Sequence, residues 1–381
     1  MHVLCKRKDR QMNRLILLEG LPGTGKTTNA YRIFEQLSGN GRDVRWLHEV
    51  SQPHPTLFFS ECCFTKEEYR RFTEQYPEAA NILDGVAEIR ATTVGIDYLT
   101  AARRTPGQEH TAWYQALLKY DVMNFPLERY EPAALEKWEA FVNAALRNDT
   151  IYILDSGIFQ YQIFTYLLNG ADYPGLAGFV HKVMELLKPL HPALIYLYRE
   201  KTEDSIAFLE KQRGVGDLES TWERDKARPY YRNKQQDVTA FHDFLKDYAA
   251  FASGLYDESE CEKIKIEITA QDWPLYEGQM LRFLGVPRRQ TPAYKAQDGT
   301  YVNAELPASF SIRDGVLTDP EGTRRRLSPK SSTEFLIEGL PEILCFCGDA
   351  SVTLCGQQII PQWSETGRVY TRIKEQNGEG T

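Results

Sequence analysis

Eight consecutive residues near the start of the chain have the order of a phosphate-binding loop. The segment Gly20-Leu21-Pro22-Gly23-Thr24-Gly25-Lys26-Thr27 fits the pattern G-x-x-x-x-G-K-[ST]. Its glycines let successive backbone N–H groups converge on phosphate oxygens, and the following helix directs its positive end at the same anion. Lys26 is predicted to reach the outer phosphates, and Thr27 is predicted to ligate magnesium. The pattern therefore predicts that the chain binds a nucleoside triphosphate.

Two carboxylates lie at the ends of predicted strands, where phosphoryl transfer needs metal ligands and a base. Asp155 ends an apolar run and is predicted to order magnesium or its waters if that strand neighbours the first strand; a helix-capping role for Asp155 stays open beside it. Glu49 is the preferred general base, with His48 as its rival, because neighbouring strand residues point to opposite faces. A solvated strand end without chemistry is the alternative for both.

A glycine-hinged basic segment, about residues 211–232, has the composition of a closing lid. Arg213 precedes Gly214, and a second helix then carries Arg224 and Arg228. Arginines that move onto a transferring phosphoryl group stabilise its charge while the closed lid excludes water. For any one of these arginines, pairing with acidic neighbours on a surface helix is the alternative, but the cluster as a whole favours the lid.

Five apolar runs separated by helical segments supply the framework that positions these residues. The runs cover residues 15–20, 44–50, 151–155, 193–198 and 264–268. Continuous apolar runs that alternate with helices are typical of a parallel sheet buried on both faces. We therefore predict an α/β fold with a five-stranded parallel sheet flanked by helices.

A large insertion separates the second and third predicted strands. It covers about residues 56–149 and has helical spacing over 67–76, 111–120 and 132–146. Ligands of open α/β sheets bind beyond the carboxyl ends of the strands. We expect this helical insertion to form the wall of a pocket for the second substrate.

The C-terminal part of the chain has a different pattern of residues. After Val286, short alternating segments punctuated by Gly and Asp predict a separate β-rich domain over 298–381, after an α/β domain over 14–288 and a flexible segment over 1–13. We expect the β-rich domain to serve as an interaction, homodimer or lid-supporting module. Arg324-Arg325-Arg326 within it favours a solvated face over a ligand clamp.

The composition argues against several classes of protein. A hydrophobic content of 42% supports packed cores, and a net charge of −8 disfavours a protein that mainly grips nucleic acid. No stretch approaches the roughly 20 apolar residues that cross a bilayer, and the N-terminal residues lack the apolar core of a signal peptide. Seven cysteines, an odd number, are typical of a reducing cytoplasm. Cys345 and Cys347 alternate with Leu344 and Phe346 in an apolar strand, which favours a role as small hydrophobic side chains over metal ligands.

These motifs together resemble the P-loop kinases of the thymidylate kinase and deoxynucleoside kinase type. The motifs are residues 20–28, 46–49, 155–157 and 196–200, with the helix that leads to Arg213, and the resemblance covers about residues 14–285. It implies ATP with Mg²⁺ as donor, a small-molecule phosphate acceptor bound against the insertion, and catalytic roles for Lys26, Glu49, Asp155, Arg213, Arg224 and Arg228. The donor contacts that it implies are Gly20, Pro22, Gly23, Thr24, Gly25, Lys26, Thr27, Thr28 and, near adenine, Gln271. Residues 233–236 lack the guanine-reading N-K-x-D pattern, which favours ATP over GTP.

Two departures from that family bear on the acceptor. Ser156 replaces the arginine that commonly follows the third-strand carboxylate, and Glu49 is not followed directly by proline. Together with the enlarged insertion, they indicate a differently shaped acceptor: a nucleoside-like natural product, an antibiotic or a sugar, beside nucleosides and nucleotides.

The leading prediction is a small-molecule kinase, and the alternative is a nucleotide-sensing regulatory P-loop NTPase without such an acceptor. A sulfotransferase-like protein is disfavoured, because Lys26-Thr27 and Asp155 suit a triphosphate better. The β-rich domain weakly resembles the small β appendage of some serine hydrolase family proteins, and it contains no evident catalytic set.

Overall fold

A parallel sheet lies at the centre of the larger part of the chain. The computed structural model describes residues 12–290, 292–360 and 362–373, so most of the predicted flexible segment 1–13 lies outside the described residues. The elements up to residue 290 are β1 (Leu15–Gly20), α1 (Lys26–Gly39), β2 (Val44–Leu47), β3 (Glu61–Thr65), α2 (Lys66–Gln75), α3 (Pro77–Asp84), β4 (Ala87–Ile89), β5 (Thr93–Asp97), α4 (Tyr98–Arg104), α5 (Ala112–Leu117), α6 (Leu127–Ala145), β6 (Ile151–Asp155), α7 (Gln160–Leu168), α8 (Tyr173–Leu187), β7 (Pro192–Tyr198), α9 (Thr202–Arg213), α10 (Val215–Asp225), α11 (Thr239–Glu258), β8 (Glu262–Glu267) and α12 (Trp273–Leu284).

The central sheet has the strand order β2-β6-β1-β7-β8, and every neighbouring pair is parallel. All five strands therefore end at the same edge. The register sets Leu18 beside Asp155, so the strand that leads into the glycine loop neighbours the strand that ends in this carboxylate. The second strand is shorter than predicted: β2 ends at Leu47, and Glu49 lies in the turn that follows.

Alternating side chains of β1 enter two separate cores. Leu15 and Leu17 pack with residues of α6, α7, α8 and α11, whereas Ile16 and Leu18 pack with residues of α1 and α12. Helices thus cover both faces, which explains why the strands are apolar without a break. The predicted fold class, a helix-flanked five-stranded parallel sheet with a separate C-terminal β-rich domain, is confirmed.

The insertion is mixed α/β rather than wholly helical. Helices α2, α5 and α6 cover most of the three predicted helical stretches, but β3, β5 and β4 also form an antiparallel sheet in that order. Strands of three to five residues carry too little periodicity to be separated from loops by pattern alone. Cys62 and Cys63 are buried free thiols within β3.

The C-terminal domain is a closed barrel of eight antiparallel strands. They are β9 (Gly299–Val302), β10 (Ser309–Arg313), β11 (Val316–Thr318), β12 (Arg324–Pro329), β13 (Glu334–Ile337), β14 (Glu342–Cys347), β15 (Ser351–Gly356) and β16 (Val369–Ile373). Strand β9 pairs with both β10 and β16, which closes the ring. Phe310, Leu344 and Tyr370 are among the side chains that fill its interior.

The described residues include neither a helix suited to crossing a membrane nor a cluster of metal-binding side chains. Within residues 12–290, 292–360 and 362–373, no helix combines the length and hydrophobicity that crossing a membrane requires. The same residues contain no group of three or more His, Cys, Asp or Glu side chains that could hold a metal ion by themselves.

Candidate active site

A cavity of about 790 Å³ opens at the carboxyl ends of the central strands. Four parts of the chain meet there: the glycine loop with the start of α1, the turn after β2, the insertion, and the segment from α9 to residue 228. The loop and α1 contribute Pro22, Gly23, Gly25, Lys26, Thr27 and Thr28, and the predicted lid contributes Arg213, Arg224 and Arg228. The structure therefore brings most of the predicted site residues to one cavity.

The loop conformation depends on its glycines. Gly23 and Gly25 have φ angles of 77° and 83°, which lie in the left-handed region that favours glycine. A Cβ on Gly20 would lie 2.4 Å from the carbonyl oxygen of Leu197, so β7 leaves no room for a side chain at this position. Thr24 holds the turn from inside, because its hydroxyl donates to the carbonyl of Leu21 over 2.8 Å. Helix α1 then begins at Lys26 and presents its free N–H groups at the cavity.

Lys26 is a buried cation within this loop. Its Nζ donates to the carbonyl oxygens of Gly20 and Leu21, each over 3.0 Å. Burial lowers the pKa of Lys26, while the negative charges of Glu49, Glu19 and Asp155 act in the opposite direction. The three carboxylates thus offset only part of the effect of burial on the pKa of Lys26.

Thr27 and Asp155 are in direct contact. The hydroxyl of Thr27 donates to Oδ2 of Asp155 over 3.0 Å, and Oδ1 of this fully buried carboxylate has no hydrogen-bond partner. Burial raises the pKa of Asp155, and the nearby His48 opposes that effect. The helix-capping alternative for Asp155 is wrong, because α7 does not begin until Gln160 and the Asp155 carboxylate accepts from Thr27 instead.

Glu19 accepts the backbone N–H groups at the start of α7, and no sequence motif indicated this role. Its carboxylate accepts the backbone N–H of Ile158 over 2.7 Å and that of Gln160 over 3.2 Å. Glu19 is fully buried, and burial raises its pKa to about 7. The signal was present: Glu19 is the one charged residue in a strand whose six residues are all buried. A carboxylate there needs internal hydrogen-bond donors.

Glu49, rather than His48, lines the cavity. Oε2 of Glu49 accepts a hydrogen bond from Nε2 of Gln160 over 2.8 Å. His48 turns the other way: its Nδ1 accepts the backbone N–H of Val50, and its ring lies 5.4 Å from the ring of Trp46, centroid to centroid. Of the two rivals, Glu49 is thus the one at the cavity, and Gln160 is a partner that no sequence motif indicated.

The predicted lid consists of two helices with a glycine between them. Helix α9 ends at Arg213, and Gly214, with a φ of 85°, separates it from α10. Arg213 lies 3.6 Å from Asp217, and Arg224 forms two hydrogen bonds of 2.9 and 2.6 Å with Asp225. Both predicted features, arginines at the cavity and nearby acidic partners, are present together.

The opposite wall comes from the insertion. Phe59, Tyr98 and Asp121 line the cavity together with Met123. Arg228 of the predicted lid donates to the backbone carbonyl of Met123, so the lid and the insertion meet across the cavity mouth. Burial raises the pKa of Asp121, and Arg228 counteracts this rise. The wall thus combines aromatic surface with one half-buried carboxyl.

Gln271 does not reach the cavity wall. It is exposed in the turn after β8, with a φ of 55°. The aromatic ring of Trp273, two residues later, lies against the loop instead: a Cβ built on Gly25 would be 3.1 Å from it. Tyr248 of α11 supports the loop from behind, since its hydroxyl donates to the carbonyl of Gly20 over 3.1 Å.

Comparisons with known proteins give a distant likeness to solved structures. No protein-family model matches the chain, and no curated protein matches it. Among solved structures, the chain is similar to a deoxyadenosine kinase from M. mycoides with bound dATP, at 14% sequence identity and a TM-score of 0.33. The match covers 71% of this chain and 99% of that chain. A TM-score this low carries no conclusion about activity, which has to be inferred from the residues of the site.

Proposed function

We propose that this chain is an ATP-dependent phosphotransferase that moves the γ-phosphoryl group to a small-molecule acceptor. One observation carries the proposal: Lys26, Thr27 and Glu49 border a single cavity, with the phosphate loop on one side and a carboxylate on another. A donor site and a proton acceptor facing the same space are what phosphoryl transfer requires, because its catalysis consists of positioning and charge stabilisation.

Two side chains, one at the start of α1 and one at the end of β6, fit a magnesium ion. Thr27 Oγ1 and Asp155 are oxygen ligands of the kind that Mg²⁺ prefers, and Oδ1 of Asp155 has no other partner. Mg²⁺ commonly takes only one or two protein ligands beside phosphate and water, so a cage of three carboxylates is not needed. When bound, the ion would neutralise phosphate charge. Thr27 and Asp155 are the residues that would hold it.

Each remaining group has a defined task in this proposal. The loop amides and Lys26 bind the polyphosphate, and Arg213 lies where it can stabilise charge on the transferring group. Glu49 accepts the proton of the acceptor while Gln160 holds its carboxylate. A carboxylate in this position favours a hydroxyl acceptor over a phosphate, because it would repel a phosphate dianion. We therefore favour a nucleoside, a sugar or a natural product with a free hydroxyl.

One observation favours a second candidate, the nucleotide-sensing NTPase. The barrel contacts α1, since the hydroxyl of Ser328 donates to Glu35 and Arg32 lies 3.6 Å from Glu338. Changes at the nucleotide site have a direct route to the barrel through this helix. This candidate predicts ATP hydrolysis without stimulation by any acceptor, and a barrel whose protease sensitivity differs between ATP and ADP.

The test is product formation. Purified protein with ATP and Mg²⁺ is incubated with nucleosides, nucleotides, aminoglycosides and sugars, and mass spectrometry identifies any acceptor that has gained one phosphoryl group. We expect a phosphorylated hydroxyl compound, with K26A as the inactive control. ATP consumption that never yields a phosphorylated acceptor contradicts the kinase and supports the NTPase. Absence of measurable ATP binding by calorimetry contradicts both.

A further inference from the structure

The turn that carries Glu49 is held from two sides. It is closed by a hydrogen bond of 2.8 Å from the backbone N–H of Ser51 to the carbonyl of His48, so Glu49 lies at its tip. Its first limb continues directly from β2. Its second limb leaves the central sheet and pairs with the segment that connects β15 to β16: Ser51 forms an antiparallel bridge with Ile359, and the N–H of Gln52 donates to the carbonyl of Gln358 over 3.0 Å.

The barrel side of this bridge is firmly anchored. Ile359 is buried in the barrel core, and its N–H donates to Oε1 of the buried Glu342 over 3.2 Å. Val50, the residue after Glu49, packs against the same core. Arg103 of the insertion donates to the carbonyl of Ile360, so a third part of the chain is attached within one residue of the bridge.

The barrel also grips the helix that starts at Lys26. Leu336 of β13 packs into the core that contains Ile33 and Phe34 of α1. Arg289 donates from its side chain to the carbonyl of Pro329 over 2.5 Å and from its backbone N–H to Oε1 of Gln36 over 2.9 Å, so it links β12 to α1. The barrel is therefore attached on the donor side of the cavity through α1 and on the acceptor side through Ser51.

We propose that the barrel is a brace that positions Glu49 relative to the phosphate loop, with Ile359 as the positioning residue. This inference rests on the proposed role of Glu49 as the acceptor-side base. Reacting groups need placement to within about 0.5 Å, and a shift of about 1 Å can cost roughly a hundredfold in rate. A turn fixed to the sheet at one limb only would not keep that precision, whereas a turn paired to a rigid barrel at its other limb does.

The test compares two buried isoleucines of the barrel. I359A removes packing at the bridge, whereas I312A removes the same atoms from the same core on β10, away from Ser51. We expect I359A to lower kcat about tenfold or more with KM for ATP unchanged, I359V to restore it, and I312A to leave it within about twofold at a similar loss of thermal stability. Equal losses of kcat in I359A and I312A, or no loss in I359A, would overturn the brace.

A disulfide between positions 51 and 359 would strengthen the contact that I359A weakens. The Cα atoms of antiparallel bridge partners lie about 4.5–5.5 Å apart, which is within the range that a disulfide spans. We expect S51C/I359C to be slow when reduced and to recover its kcat when oxidised, while I359C alone and the wild-type chain do not respond to oxidant. Failure of the oxidised double variant to recover would contradict the proposal.

A readout without turnover separates this inference from the proposed function. Amide hydrogen exchange at residues 49–52 should become faster in I359A than in I312A. If the wild-type chain phosphorylates nothing, the proposed function fails, and exchange still decides whether the barrel restrains the turn. If the wild-type chain is a kinase and exchange in I359A is unchanged, the brace alone fails.

Discussion

The hydroxyl of Thr27 and the Oδ2 atom of Asp155 lie 3.0 Å apart, which joins the first turn of α1 to the end of β6. Parallel pairing of β1 with β6 brings the two residues together, although 128 positions separate them in the chain. This contact brings two side-chain oxygens together next to Lys26.

The Thr27–Asp155 pair predicts a specific metal dependence. D155N should lower kcat about tenfold or more and raise the Mg²⁺ concentration needed for half-maximal rate, because an amide is a weaker ligand for a hard cation. T27S should keep activity and T27V should lose it, which a Mg²⁺ titration of initial rates will measure. D149N, at an exposed aspartate before β6, serves as the control. An unchanged Mg²⁺ requirement in D155N would remove Asp155 from the metal site.

Among the loop residues, substitution of Lys26 should reduce the rate of phosphoryl transfer most. K26A should lower phosphoryl transfer by about a hundredfold or more, the usual effect of removing one preorganised donor to a developing charge. Initial rates under saturating ATP will measure this, with K66A, an exposed lysine at the start of α2, as the matched control. Activity retained in K26A would be incompatible with the scheme.

Glu49 should affect turnover and not ATP binding. E49Q keeps the size of the side chain but cannot accept a proton, so kcat should fall by about a hundredfold, the range of a missing general base, while the Kd for ATP stays the same. Calorimetry gives the Kd and steady-state kinetics give kcat, with E128Q on the exposed face of α6 as the control. Equal weakening of ATP binding would move Glu49 to the donor site.

Substitution of Arg213 distinguishes a catalytic lid from an ordinary surface helix. R213A should lower kcat by about a hundredfold if its guanidinium stabilises the transferring group, and R213K should recover only part of this because lysine lacks the planar fork. R71A, at an exposed arginine of α2, is the matched control. Equal rates in R213A and R71A would show that Arg213 only pairs with Asp217.

Glu19 should make stability depend on pH. Burial raises its pKa to about 7, above the value of an unfolded glutamate, so its stabilising effect is complete below about pH 4.5 and is lost as the pH rises to 7. E19Q should therefore become more stable relative to wild type as the pH rises from 5 to 8. Calorimetric unfolding midpoints of both proteins measure this. Burial also shifts the pKa values of Glu342 and His54. Because both proteins contain these two residues, their contribution to the pH dependence cancels in the difference between the midpoints. A pH-independent difference would contradict the prediction.

Local patterns were sufficient to predict much of the fold and the side of the cavity formed by the glycine loop. The apolar run 15–20, the glycine loop and the helix after it are encoded within 25 residues, so their order already determines where Lys26 and Thr27 lie. The position of Asp155 also followed, because carboxyl ends of parallel strands meet at one edge. The contact of Asp155 with Thr27 depends on the order of the strands, because β6 must lie next to β1. No local pattern determines that order.

Contacts across long sequence separations account for the remainder. Gln160 and Glu49 are 111 positions apart, and no periodicity relates them. Ser51 and Ile359 belong to different domains, and an isolated bridge has no strand pattern on either side. Glu19 was detectable in principle, since a charge within a fully buried strand is conspicuous, but its donors come from a turn whose shape includes Ser156 at a φ of 66°. That conformation is unusual for serine and is not apparent from residue type.

The closure of the C-terminal ring limits how two copies of this chain can associate. Each of its eight strands has hydrogen-bonded neighbours on both sides, so this ring presents no open ladder onto which another polypeptide could add a strand. A homodimer formed through this domain must therefore rely on complementary side chains. Such contact surfaces can be changed residue by residue without unravelling the ring beneath them.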